Sequence, residues 1–411
     1  MKSYMTDYTA IYEKIVNARK LLQNIAHITR LDHSSTFSRM TGGDIHLKLE
    51  NLQKTGSFKV RGAAYAISQL SDSEKKQGVI AASAGNHAQG VAYSATKLGI
   101  KSTIVMPNFS PIAKIQATKG YGADVILHGE SFDDALQFAL EESERSGATF
   151  IHPFNDENII AGQGTIGLEI LDELPDVEVV AVPVGGGGLV SGIAIAIKET
   201  NPDVEIYGVE ASSASSMKES LESGKKKTVT GLDTICDGIA VKTVGDLTLS
   251  IADDLLTDSV VVDDLQVTRS LFLLLERAKI VVEPAGCVGL TAFQYDAIDI
   301  EGKKGVAILS GGNIDMSFMS RVIDKELYRL KRAIRLRGVI LDRVGVLNRI
   351  LEVVADSGVS VIDIEHDRSD PDIMPNKTEL ILTLQVPEKN AVNKLLNELK
   401  AREFDMQMYE D

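Results

Sequence analysis

Gly185, Gly186, Gly187 and Gly188, followed by Leu189, stand between an apolar β-branched run, residues 179–184, and a stretch of helical periodicity, residues 190–198. Residues without a Cβ can turn successive N–H groups toward one anion, and a helix amino terminus adds its positive dipole, so this loop reads as a phosphate cradle. A flexible turn is the plainer alternative. A second loop, Ser83-Ala84-Gly85-Asn86-His87-Ala88-Gln89-Gly90, also runs from a strand end into a helix and gathers hydroxyl, amide and backbone donors. Such donors suit a carboxylate; alternatively Ser83 or Asn86 is a simple helix cap and His87 a packed or solvated side chain. A third loop, Ser310-Gly311-Gly312-Asn313, follows another apolar run and by itself signals only a turn.

Lys59 lies in Thr55-Gly56-Ser57-Phe58-Lys59-Val60-Arg61-Gly62. Taken alone it is a solvated helix lysine. Combined with a phosphate cradle and a carboxylate-type loop, it completes what pyridoxal 5'-phosphate requires: an amine for a Schiff base, an anion site and a polar partner for the ring nitrogen. Rival chemistries lack their context. Gly162-Gln163-Gly164-Thr165-Ile166-Gly167 spells a dinucleotide fingerprint but sits inside an apolar helical stretch, with no acidic residue ending a strand about 20 positions on. The seven histidines show no metal-ligand spacing, so no metal is expected, and no G-x-S-x-G elbow occurs.

The elements that must position these loops alternate. Short β-branched runs at 45–50, 78–83, 102–107, 124–129, 149–154, 179–184, 205–210, 259–263 and 306–310 are separated by helical patterns. That alternation predicts mostly parallel α/β structure, and so many units predict two sheets facing a cleft, with ligand at the carboxyl ends of the strands. After Arg321 a charged helix leads into strand, helix, strand, strand, helix, strand over 334–409. The expected organisation is a catalytic region over 1–325, a linker over 326–333 and a small separate domain over 334–411. The basic run Lys225, Lys226 and Lys227 beside Gly224 reads as a solvated loop.

Composition narrows the partners. Lys and Arg number 43 against 58 Asp and Glu, a net charge of −15 in 411 residues, which opposes general binding to nucleic acid or anionic membranes. Two cysteines, Cys236 and Cys287, are too few for a disulfide framework and fit a reducing compartment. No uncharged apolar run reaches membrane-spanning length. The expectation is a cytoplasmic enzyme with a small-molecule substrate.

Leu47-Lys48-Leu49-Glu50-Asn51-Leu52-Gln53 with Gly56-Ser57-Phe58-Lys59-Val60-Arg61-Gly62-Ala63, together with Glu283-Pro284-Ala285-Gly286 and the loops above, resembles the threonine ammonia-lyases (threonine dehydratases) of the tryptophan-synthase-β-like, fold type II group of pyridoxal phosphate enzymes. Residues 334–411, with Asp342-Arg343-Val344-Gly345-Val346-Leu347, resemble one ACT domain, a βαββαβ fold that binds amino-acid effectors. The resemblance implies an α/β catalytic region of two parallel-sheet subdomains plus a C-terminal ACT-like domain. It further implies that Lys59 carries the cofactor, Phe58 borders its ring, Asn86 bonds its ring hydroxyl, Gly185 to Leu189 cradle its phosphate and Ser310 faces its pyridine nitrogen. Ser83, Ala84, Gly85, Asn86 and His87 would hold the substrate carboxylate. One departure is Thr29-Arg30-Leu31, where Thr-Pro-Leu is expected; only a structural turn depends on it.

The implied reaction is α,β-elimination of L-threonine to 2-oxobutanoate and ammonia, and of L-serine to pyruvate, in isoleucine biosynthesis or threonine catabolism. The implied assembly is a homo-oligomer, dimer or tetramer, with an amino-acid effector at the ACT-like domain. Alternatives on the same scaffold are a serine racemase, a hydroxyaspartate ammonia-lyase or a β-replacing synthase; an alternative of another class is a non-catalytic amino-acid sensor. Racemases of this scaffold resemble the chain through Ser83 but carry a second serine where this sequence has Ala84.

Overall fold

The computed structural model describes residues 7–387 and 389–409. The chain divides into two compact units between Ile314 and Asp315. The first contains β1 (Leu31–His33), β2 (Asp44–Lys48), β3 (Val79–Ala82), β4 (Ser102–Met106), β5 (Asp124–Leu127), β6 (Thr149–Phe150), β7 (Val179–Pro183), β8 (Glu205–Ala211), β9 (Asp258–Val262) and β10 (Lys304–Ile308). They form two sheets, in the orders β1-β2-β10-β7-β8-β9 and β5-β4-β3-β6. Every pairing is parallel except β1 with β2. Helices connect the strands, and all of β3 and β7 is buried, which is why these strands read as unbroken apolar runs.

Two elements depart from the sequence-based expectation. The edge strand β1 is three residues long and too short to carry a period-2 signal. The run at 149–154 keeps only Thr149 and Phe150 as strand, because Pro153 has no N–H to give a ladder and the next two amides bond instead to the His152 ring.

The rejected dinucleotide match lies mid-helix, within Glu157–Glu173, and its glycines serve packing. A Cβ on Gly162 would stand 2.4 Å from the Arg61 carbonyl oxygen, and one on Gly164 2.7 Å from that of Gly192. Helix Glu157–Glu173 thus seats the helix Lys59–Ser68 on one side and the helix Gly188–Lys198 on the other. The lysine and the glycine loop are positioned by the same buried rod.

Behind Lys59 this packing encloses ionic groups. Arg61 is 2 % exposed and bonds Glu50 through Nε (2.9 Å) and Nη2 (2.7 Å), and Glu169 through Nη1 (2.6 Å) and Nη2 (2.9 Å). Lys48, fully buried, reaches Glu169 at 2.8 Å and the Thr29 carbonyl at 2.6 Å. Burial alone would raise the Glu50 pKa, but the Arg61 charge and hydrogen bonds outweigh it and hold Glu50 below the usual carboxylate range.

In the second unit a helix, Met316–Arg329, precedes β11 (Ala333–Leu341), β12 (Ser360–Asp367), β13 (Lys377–Gln385) and β14 (Gln407–Met408), with helices Val346–Asp356 and Lys389–Ala401 between them. The sheet order is β12-β13-β11-β14, antiparallel throughout. Leu336, Leu380, Leu382 and Leu384 of the sheet pack on Ile350, Val353, Leu395 and Leu399 of the helices. The segment read as a linker begins inside helix Met316–Arg329, which groups with this unit. Among the described residues no helix is long and apolar enough to cross a membrane.

Candidate active site

A cavity of about 840 Å³ opens in the first unit, at the ends of both parallel sheets. The Ser83 loop follows β3, the glycine loop follows β7, Ser310 follows β10, and Lys59 begins the helix after the β2 loop. Every residue to which the resemblance gives a cofactor or carboxylate role lines this cavity: Phe58, Lys59, Ser83, Ala84, Gly85, Asn86, His87, Gly185, Gly186, Gly187, Gly188, Leu189 and Ser310.

Lys59 Nζ donates to the Pro153 carbonyl at 2.9 Å and stands 5.3 Å from the centre of the Phe58 ring. Burial depresses its pKa to about 8, against an opposing pull from Glu283. An amine tuned to that value is partly unprotonated near neutrality, which a nucleophile and proton carrier needs. His87 donates from Nε2 to the Ile151 carbonyl at 2.9 Å, and burial followed by the Lys59 charge pushes its pKa down to about 3. Its ring is therefore neutral and committed to the backbone. What the Ser83 loop can offer a carboxylate is the set of N–H groups opening helix Asn86–Lys97, with the Ser83 hydroxyl, which already accepts from the Gly85 N–H at 3.1 Å.

Asn86 is the centre of a chain of amides. Its Nδ2 donates to Glu283 Oε1 at 2.7 Å, and its Oδ1 accepts from Asn313 Nδ2 at 2.8 Å. Asn313 donates also to the Thr55 carbonyl at 2.8 Å, and the Ser310 carbonyl accepts the Phe58 N–H at 3.1 Å. The third glycine loop thus closes onto the lysine segment, a role that its composition alone did not reveal.

The glycine loop has room for nothing larger. Gly187 has φ +92°, and a Cβ on Gly186 would lie 2.2 Å from the Phe154 ring. Among the described residues the N–H groups of Gly185, Gly186 and Gly187 have no acceptor, and they precede a helix whose first-turn amides are also free. Unpaired donors converging at a helix amino terminus, opposite a buried amine and a neutral hydroxyl, match the phosphate, aldehyde and ring nitrogen of pyridoxal phosphate.

Sequence reasoning missed the rim. Lys114 pairs with Asp237 at 3.2 Å and Lys242 with Asp133 at 2.5 Å. Lys114 and Asp133 follow strands of the smaller sheet, whereas Asp237 and Lys242 come from a loop of the larger one, so the two pairs cross the cleft in opposite senses. Isolated charges carry no spacing by which to find them.

The family described as "Pyridoxal-phosphate dependent enzyme" matches residues 23–311. The chain belongs to that family. Its cofactor is pyridoxal phosphate, and the residues above fit it. An L-threonine ammonia-lyase of Thermotoga maritima is 46% identical over 396 residues, which are 96% of this chain and 98% of that one. Among solved structures, the processed form of threonine deaminase isoform 2 from Solanum lycopersicum superposes with a TM-score of 0.75 at 37% identity, covering 79% of this chain and 90% of that one. A maize serine racemase superposes with a TM-score of 0.72 at 34% identity, over 78% of this chain and 98% of the racemase.

Glu283 gives this family member a measurable pH signature. Burial first, and Asp237 second, raise its pKa to about 7. Folded protein therefore binds a proton there that the unfolded chain releases near the ordinary glutamate value, and between those two pH values the stability that this one group contributes falls as pH rises. Glu283→Gln keeps an acceptor for Asn86 and removes the titration. The melting temperature of the variant minus that of wild type should rise between pH 4.5 and 7; a difference that stays flat across that range would contradict the assignment.

Proposed function

We propose that this pyridoxal-phosphate dependent enzyme is an L-threonine ammonia-lyase, converting L-threonine to 2-oxobutanoate and ammonia and L-serine to pyruvate. The observation that carries the reading is the likeness to an L-threonine ammonia-lyase over nearly the full length of both chains. The cofactor, when bound, supplies an electron sink for the charge left on the substrate Cα. Lys59 would anchor the cofactor, and its freed amine would receive the Cα proton. The N–H groups of Asn86 and His87 and the Ser83 hydroxyl, which the Gly85 N–H steadies, would hold the substrate carboxylate, and Gly185 to Leu189 would fix the phosphate. Phe58 would border the ring, and Asn86, tied to Glu283 and Asn313, would present its amide to the ring hydroxyl. Ser310 would face the ring nitrogen with a neutral hydroxyl rather than a carboxylate, and so would not hold a full positive charge there.

The maize racemase likeness supports a second reading, and Ala84 separates the two. A methyl group cannot return a proton to the far face of Cα, so elimination should greatly exceed racemisation. The experiment supplies L-threonine and L-serine to purified holoenzyme and measures ammonia, 2-oxobutanoate, pyruvate and the chirality of recovered serine. D-serine formed faster than pyruvate, or no 2-oxobutanoate from threonine, overturns the reading.

The second unit is proposed as the regulatory, ACT-like domain. Gly345, at φ +86°, opens helix Val346–Asp356, and Asp342 beside it is held by Arg368 at 2.7 Å. That entrance suits the carboxylate of a small amino acid. Isoleucine is the first candidate effector and valine the opposing one, acting in a cytoplasmic homo-oligomer, dimer or tetramer, in isoleucine biosynthesis or threonine catabolism. Threonine saturation curves with and without each amino acid should shift for the full chain. An unchanged shift after truncation at Ile314, in protein that stays active, places the effector elsewhere.

A further inference from the structure

The segment 151–155 touches both halves of the site, and one imidazole sets its conformation. Nδ1 of His152 accepts the N–H of Asn155 at 2.8 Å and that of Phe154 at 3.2 Å. Backbone amides only donate, so Nδ1 bears no proton and the neutral ring carries its proton on Nε2. A side-chain acceptor for the amides two and three residues on is the geometry of an Asx turn, ordinarily built by Asn or Asp. Histidine builds it here, with Pro153, which has no N–H to satisfy, inside the turn.

The turn faces the Pro153 carbonyl toward Lys59, whose Nζ donates to it at 2.9 Å. The His152 ring is held edge-on by Phe150 and Phe154, at centroid separations of 6.2 and 4.8 Å. Phe154 is also the ring that admits only glycine at position 186. On the other side, His87 anchors the Ile151 carbonyl. His152 itself does not line the cavity.

We infer that His152 is a positioning residue for the reaction: its Nδ1 shapes the turn that presents the Pro153 carbonyl to Lys59, and through that carbonyl it orients the lysine amine. The inference rests on the reading of Lys59 as the group that anchors the cofactor and takes the Cα proton. A neutral amine has one lone pair and two N–H bonds. A fixed acceptor for one N–H restricts rotation about the terminal C–N bond and confines the lone pair to a few directions, which is what a proton acceptor on a flexible four-carbon stem otherwise lacks.

Two substitutions separate the acceptor from the ring. His152→Asn keeps an acceptor of the same reach without the ring, and His152→Phe keeps the ring without the acceptor. Each variant holoenzyme is compared with wild type for kcat and KM on threonine, for the visible absorption band of the bound cofactor and for melting temperature. His152→Asn should keep the wild-type band and kcat within about threefold, whereas His152→Phe should shift the band and lower kcat about ten- to hundredfold with KM little changed. Equal kcat in the two variants, or Phe above Asn, overturns the inference. If His152→Phe does not accumulate as folded protein, His152→Asn decides alone: a kcat below about a tenth of wild type overturns the inference, and retention supports it. If wild type shows the band but does not turn over threonine, the functional reading fails, while the order of the two band shifts still tests His152.

Discussion

Lys59→Ala is expected to abolish threonine turnover while leaving the fold in place. Lys59 begins its helix at the cavity wall, and that helix is held in place by Arg61, which bonds Glu50 and Glu169. The substitution removes the amine proposed to anchor the cofactor and to take the Cα proton. Losing a positioned proton carrier alone costs about 10²–10⁴-fold, and losing the covalent anchor adds to it. Borohydride reduction of wild-type holoenzyme followed by peptide mapping supplies the independent check. A pyridoxyl label on any lysine other than Lys59 sinks the assignment, as does turnover by the alanine variant above a few per cent of wild type.

The largest effect on stability is expected from Arg61→Leu. Glu50 and Glu169 share one guanidinium through four hydrogen bonds, all inside the first unit. Leucine fills part of the volume but leaves two buried carboxylates with Lys48 as the remaining cation near them. Breaking a buried pair by removing one partner costs about 3–5 kcal/mol, because the charge left behind is neither solvated nor compensated. Arg61→Lys, which restores charge without the planar fork, should recover part of it. Urea unfolding midpoints of the first unit provide the measurement, and a difference under about 1 kcal/mol would falsify this account of the cluster. The pH dependence has a definite sign. Glu50 is held below its unfolded pKa, so its contribution is present above the ordinary glutamate value and is lost as pH falls through the depressed one.

How much of this was legible in the sequence depended on whether a signal is local. β7 and its four glycines announce themselves, since a buried parallel strand is a continuous apolar run and the turn after it requires missing Cβ atoms. The Ser83 loop and Lys59 were legible as parts and were joined by what the cofactor requires rather than by spacing, whereas Ser310, from the opposite end of the unit, was joined to Lys59 only by the family resemblance. The amide chain through Asn86, Glu283 and Asn313 joins three loops and has no sequence period. His152 was invisible for another reason: a histidine in a turn has many roles, and only the direction of Nδ1 distinguishes them. β1 was missed because three residues cannot show alternation.

The chain order of the larger sheet bears on how the protein is made. β2 lies between β1 and β10, and its parallel partner runs from Lys304, opposite Asp44, to Ile308, opposite Lys48. Phe58, next to the lysine, gives its N–H to a carbonyl at Ser310. During synthesis the early segment thus waits for a partner that leaves the ribosome roughly 250 residues later, which at about 5–20 residues per second is some ten to fifty seconds. Throughout that interval one edge of β2 is open, and the nascent chain exposes a strand ready to pair wrongly. Newly made chains are therefore most exposed to aggregation, and most in need of a chaperone, before residue 310 emerges.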